Sequence, residues 1–134
     1  MRKRKVLIVD DETNMRIFLA TLLETNGYEP IQAADGSEGI KKAREVMPHL
    51  IILDVMMPEL GGIQMYRQLK TDEELKDIPV IMLSAIAKKT FFHSQSMLNY
   101  YMGDSMPEPE AYIEKPPEPE DLLRLTEKLL TDRE

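Results

Sequence analysis

Leu50-Ile51-Ile52-Leu53-Asp54 is the stretch on which the fold turns: four unbroken apolar residues closed by an aspartate. A strand with one wet face would alternate apolar and polar residues. An unbroken run instead marks a strand of a parallel sheet covered on both faces. The same form recurs at Val6–Val9, which runs into Asp10-Asp11, and at Val80–Leu83, which runs into Ser84. Weaker runs lie at Pro30–Ala34 and Ala111–Ile113, the latter leading to Glu114-Lys115. Between the runs the apolar period becomes helical. Met15, Phe18, Leu19, Leu22 and Leu23 form one stripe, stopped at Gly27, and Ile40, Ala43 and Met47 form a second, closed by Pro48. Ile63, Tyr66 and Leu69 make a third, and Leu122, Leu125 and Leu129 a last one that Pro119, Glu120 and Asp121 open. Ala87 to Met102 reads as a helix between the fourth and fifth strands, interrupted by polar residues. Strands alternating with helices predict a parallel sheet with right-handed crossovers and helices on both faces, a doubly wound α/β domain.

Composition sets the outer limits. The chain has 134 residues, enough for one domain that buries roughly 65–70% of its unfolded surface. It contains no cysteine, which excludes disulfides, thiolate metal sites and cysteine nucleophiles. A net charge of −7 opposes binding to nucleic acid or to an anionic membrane, and Arg2–Lys5 is too small a basic cluster to reverse it. No apolar run approaches the ~20 residues that cross a bilayer, and Val6–Val9 is too short for an export segment. The expectation is a single cytoplasmic domain. Residues 107–119 hold five of the nine prolines, and Ala111-Tyr112-Ile113 within them predicts stiff loops around a short strand, not a disordered linker.

In such a sheet ligands bind beyond the carboxyl ends of the strands, where strand order reverses. The strand ends would therefore gather Asp10, Asp11, Asp54, Ser84 and Lys115 at one rim. Each has a plain structural reading: Asp11 as a helix cap, Asp54 as a turn residue before Pro58, Ser84 as a loop serine, Lys115 as a solvated charge. Together, three crowded carboxylates need a cation or a proton among them, and an all-oxygen set suits Mg²⁺. The first loop, Asp10-Asp11-Glu12-Thr13, has no glycine and is strongly negative. That argues against dinucleotide binding and P-loop chemistry, which need glycines and exposed N–H groups at this place.

The patterns VLIVDDE at 6–12, IILDVMMPELGG at 51–62, IMLSA at 81–85 and YIEKP at 112–116 resemble the receiver domain of bacterial response regulators, over about Lys5 to Leu130. The resemblance implies a flavodoxin-like (βα)5 fold with strand order 2-1-3-4-5 and Mg²⁺-dependent (or Mn²⁺-dependent) phosphorylation of an aspartate by a histidine kinase or phosphotransfer protein. Carried over by position, Asp54 is the phosphoacceptor. Asp11, Asp54 and the backbone carbonyl of Met56 bind the metal, with Asp10 acting through a water. Lys115 and the Ser84 hydroxyl hold phosphoryl oxygens, and Ser84 with Tyr112 forms the switch. Met56 and Ile86, two places beyond Asp54 and Ser84, flank the path of a hydrolytic water and set the lifetime of the phosphorylated form. The resemblance further implies output through the face of the fourth helix, fifth strand and fifth helix, with a downstream protein partner and dimerisation on phosphorylation.

The chain departs from the pattern between Ser84 and Lys115, where about residues 86–110 run longer than usual and Met102–Glu110 replaces a small-residue stretch. Partner choice is not carried over there. Four residues follow Leu130, so the expectation is one receiver domain over 1–134 without an output domain. Two other readings stay in view: a receiver-like scaffold that never accepts phosphate, and a phosphohydrolase of the haloacid dehalogenase type. The latter needs a second aspartate two places after the nucleophile, where Met56 stands. His49 and His93 are read as structural, and the ten methionines as core filler. Phe91, Phe92, Tyr100 and Tyr101 are candidates for either core or contact surface.

Overall fold

In a computed structural model, described over residues 2–57, 61–93 and 106–131, the apolar runs form five parallel strands in the order β2-β1-β3-β4-β5. They are β1 (Lys5–Val9), β2 (Glu29–Ala33), β3 (Leu50–Asp54), β4 (Val80–Ser84) and β5 (Ala111–Glu114). The helices are α1 (Thr13–Thr25), α2 (Gly36–Val46), α3 (Gly62–Thr71), a helical turn over 88–93 (α4) and α5 (Pro119–Thr131). The predicted fourth helix thus appears in part; residues 94–102 of it, with Tyr100 and Tyr101, lie outside the described residues.

The three unbroken runs explain themselves in the packing. Side chains alternate across a strand. Leu7, Val9, Ile51, Leu53, Val80 and Met82 face one layer with Ala43, Met65, Tyr66, Leu69 and Phe91. Val6, Ile8, Leu50, Ile52, Ile81 and Leu83 face the other, with Leu19, Leu23, Leu122 and Leu130. Both faces are dry, so every position had to be apolar, each side chain contributing about 1.5–3 kcal/mol of burial. The edge strands β2 and β5 are only partly covered, which is why their sequence signal is weaker.

Two predicted stripe residues are surface residues instead. On α1 the stripe centres on Leu19, Ala20 and Leu23, leaving Phe18 on its flank and exposed. On α2 the helix ends at Val46, and Met47 adopts φ 47° at the cap, which carries its side chain into solvent before Pro48. Gly27 turns the chain after α1 with φ 91°, a conformation that suits glycine. His49, read as structural, accepts a hydrogen bond at Nδ1 from the Lys5 N–H, 3.0 Å.

Candidate functional site

The strand registers stagger the site residues along one rim. Val9 pairs with Leu53, so Asp10 and Asp54 leave adjacent strands at the same level. Asp54 pairs with Leu83, and Ser84 with Glu114, so Ser84 and Lys115 each lie one step beyond their neighbour. Asp54 and Ser84 end β3 and β4, Asp10 and Lys115 follow directly on β1 and β5, and Asp10, Asp54 and Ser84 are buried.

Asp54 divides its two oxygens. Oδ1 accepts the Met56 N–H at 3.0 Å, whereas Oδ2 faces the Lys115 ammonium at 3.5 Å. Asp10 does the same: Oδ1 accepts the Glu12 N–H at 2.8 Å, and Oδ2 lies 3.1 Å from Lys115 Nζ. That Asp10 oxygen is wholly buried and has no aligned hydrogen bond, so the nearby ammonium meets it as charge alone. Arg16 fixes the loop by donating to the Asp10 carbonyl at 2.7 Å. Ser84 Oγ accepts the Ile86 N–H at 3.0 Å, and the Lys115 N–H donates to the Ser84 carbonyl at 2.7 Å.

The electrostatics follow from burial. Desolvation, reinforced by the Asp10 and Asp11 charges, pushes the Asp54 carboxyl up to about 6, against the pull of the Met56 N–H and Lys115. At neutral pH Asp54 remains largely ionised. Burial pulls Lys115 toward its neutral form. The hydrogen bond to Glu12 and the close carboxylates of Asp10 and Asp54 outweigh it, so the ammonium is held more firmly charged than usual.

Sequence reasoning missed Glu12. Its Oε1 accepts from Lys115 Nζ at 2.8 Å, and it joins Asp10 and Asp54 as three carboxylates whose oxygens lie within 4.8 Å of one another. The only signal was its place in an acidic loop, which says nothing of a lysine 103 residues away. Asp11, expected among the ligands, is exposed and outside this group of three. The orphaned Asp10 oxygen and the all-oxygen donor set fit a hard divalent cation.

Tyr112 is half-buried, its hydroxyl donating to the Ile86 carbonyl at 2.7 Å and its ring 5.2 Å from Phe91 and 5.5 Å from Phe92. Phe91 is therefore core, and Phe92 partly so. Ile86 packs partly buried against that same core, whereas the Met56 side chain is 58% exposed. A cavity of about 130 Å³, lined by residues including Ile63, Tyr66, Phe91 and Met106, contains none of Asp10, Asp54, Ser84 or Lys115 in its wall.

No helix of the described residues is long and apolar enough to cross a membrane. The response regulator receiver domain family matches residues 6–127. Among curated proteins, the polar-differentiation response regulator DivK of Brucella ovis is 43% identical over 89 residues, 66% of this chain and 72% of that protein. Among solved structures, chemotaxis protein CheY4 of Vibrio cholerae is 28% identical with a TM-score of 0.78, covering 96% of this chain and 99% of its own. A CheY-like receiver domain protein from Methanospirillum hungatei is 27% identical with a TM-score of 0.80, covering 98% and 96%. The strand order, the acidic rim with its lysine, and a family match over nearly the whole length agree: the chain belongs to the response regulator receiver domains of two-component signalling.

Proposed function

We propose that this receiver domain accepts a phosphoryl group on Asp54 from a histidine kinase or phosphotransfer protein, and that this switches its contact with a downstream protein. The observation that carries the reading is the division of the Asp54 oxygens: Oδ1 is held by the Met56 N–H, and Oδ2 is turned to a partly buried ammonium. A carboxylate attacking a phosphoryl group meets negative charge, so neutralisation is the main need. Lys115, held charged, supplies part of it. Asp10, Asp11, Asp54 and the Met56 carbonyl would hold Mg²⁺ or Mn²⁺, which when bound supplies the remaining neutralisation.

In the transfer, Asp54 Oδ2 forms the new O–P bond as the donor's P–N bond breaks. The electron pair leaves with the donor imidazole, which takes up a proton, and the product is an acyl phosphate. Ser84 Oγ already accepts from Ile86, which leaves its O–H able to donate to a phosphoryl oxygen. Tyr112 is tied to the residue two places beyond Ser84, so a shift there is felt at its hydroxyl. The phosphoryl contacts would thus bias a two-state equilibrium of the segment from Ala85 to Tyr112. Met56 at the second position past Asp54 cannot serve as an acid or base, which supports a signalling protein over a phosphohydrolase.

The test is incubation with acetyl phosphate and Mg²⁺, followed by intact mass. One phosphoryl adduct is expected, abolished by chelator and by Asp54→Asn. An adduct of equal yield in the variant, or with chelator present, would overturn the reading.

A further inference from the structure

We propose that Glu12 is a displaceable competitor for Lys115, a carboxylate that occupies the ammonium until a phosphoryl oxygen replaces it; the inference rests on the phosphoacceptor reading of Asp54. An ammonium has three N–H groups and no acceptor. Three carboxylate oxygens already surround Lys115 Nζ, from Glu12 at 2.8 Å, Asp10 at 3.1 Å and Asp54 at 3.5 Å. A phosphoryl group on Asp54 takes up the Asp54 oxygen and brings further oxygens to the same nitrogen, where they compete with Glu12, which accepts the shortest hydrogen bond from it.

The structure distinguishes the three. Asp10 and Asp54 are fixed at strand ends with side-chain exposures of 1% and 3%, and each anchors its second oxygen on a backbone N–H. The Glu12 side chain is 61% exposed, and its carboxylate makes its contact with Lys115 from the solvent side. A phosphoryl donor likewise has to reach the buried Asp54 from solvent. Like-charge repulsion between the incoming phosphoryl oxygens and the Glu12 carboxylate acts in the same direction. Glu12 therefore leaves, and its hydrogen bond to Lys115 is lost on phosphorylation. An exposed ion pair is weak, so the competition is modest: about two- to fivefold in affinity for a phosphoryl group.

The experiment measures binding of beryllofluoride, a phosphoryl mimic, at saturating Mg²⁺ by NMR for wild type, Glu12→Gln and Glu12→Asp. Mg²⁺ affinity is titrated separately. Glu12→Gln removes the competitor and should bind the mimic about two- to fivefold tighter, with Mg²⁺ affinity unchanged or weaker. Glu12→Asp keeps the charge but shortens the reach to Lys115, and should also bind the mimic more tightly than wild type. Tighter binding by Glu12→Gln alone would show that bulk charge, not the Lys115 contact, is responsible, and would overturn the proposal. So would unchanged binding by both variants, or equal tightening for Mg²⁺ and mimic. A wild type that takes up no beryllofluoride would instead remove the phosphoacceptor reading, and this inference with it.

Discussion

Replacing Gly62 by alanine should destabilise the protein by about 2–3 kcal/mol, because the first residue of α3 packs directly on the backbone that carries Asp54. A Cβ built at Gly62 would stand 2.2 Å from the Asp54 carbonyl oxygen, 2.4 Å from Val55 Cα and 2.9 Å from the Asp54 carbonyl carbon. Real Cβ atoms essentially never come within 3.0 Å of such atoms, and backbone at the end of a central strand has little freedom to retreat. The start of α3 must therefore move away from β3. Overpacking of this kind costs about 1–3 kcal/mol, and a backbone clash belongs at the upper end. Alanine's better helix propensity, worth up to about 1 kcal/mol in a helix interior, offsets little of it at a terminus.

Gly39 is the matched control. Its added Cβ would meet Met65 Cε and Sδ at 2.8 Å and Val9 Cγ2 at 3.1 Å, and a thioether end can swing aside. Gly39→Ala lies inside α2, where alanine is favoured, and should remain within about 1 kcal/mol of wild type. Urea unfolding in chelator, followed by circular dichroism, compares the two. The Gly62→Ala midpoint should fall well below both others, and acetyl phosphate should label it more slowly because the clash falls on Asp54. Equal midpoints for the two alanine variants would refute the reasoning.

The remaining predictions concern the site. Burial lifts Asp54 from 3.8 to about 6, so between those values the folded chain binds more protons than the unfolded one, and stability falls as pH rises through that window. In chelator, Asp54→Asn should be more stable than wild type by about 1–3 kcal/mol near pH 8, with the difference vanishing near pH 4; a flat difference across urea midpoints would exclude it. Met56→Asn combined with Ile86→Glu should shorten the phosphorylated lifetime, about tenfold for each 1.4 kcal/mol of barrier removed, as read from loss of the adduct in time. A lifetime no shorter than wild type would show that these side chains do not control the water. Hydrogen exchange should change on phosphorylation across residues 85–93 and 106–112; unchanged protection there would remove Ser84 and Tyr112 as the switch.

The central strands were legible because two dry faces leave no choice at Val6–Val9, Leu50–Leu53 or Val80–Leu83. The rim was legible for the same reason: a parallel sheet brings residues that end separate runs to one edge, so Asp10, Asp54, Ser84 and Lys115 could be placed together. Side-chain reach was not legible. Glu12 and Asp11 are neighbours of one type, and only the geometry shows Glu12 turned to Lys115. The exposures of Phe18 and Met47 depend on where a stripe centres and where a helix stops, which periodicity leaves open by about a residue or two. The clamp before β5 was equally hidden. Tyr66 donates to the Pro107 carbonyl at 2.8 Å, and Glu110 accepts from the Val80 N–H at 3.0 Å, contacts between segments with no local pattern in common.

The most direct measurement of the central claim is chemical trapping of the phosphorylated residue. Protein labelled with acetyl phosphate and Mg²⁺ would be treated with borohydride, which reduces an acyl phosphate to the alcohol, and then digested and sequenced by mass spectrometry. Homoserine is expected at position 54 and at no other aspartate, with none after chelator treatment. Reduction product at Asp10 or Asp11, or unmodified Asp54 in protein that carries phosphate, would contradict it.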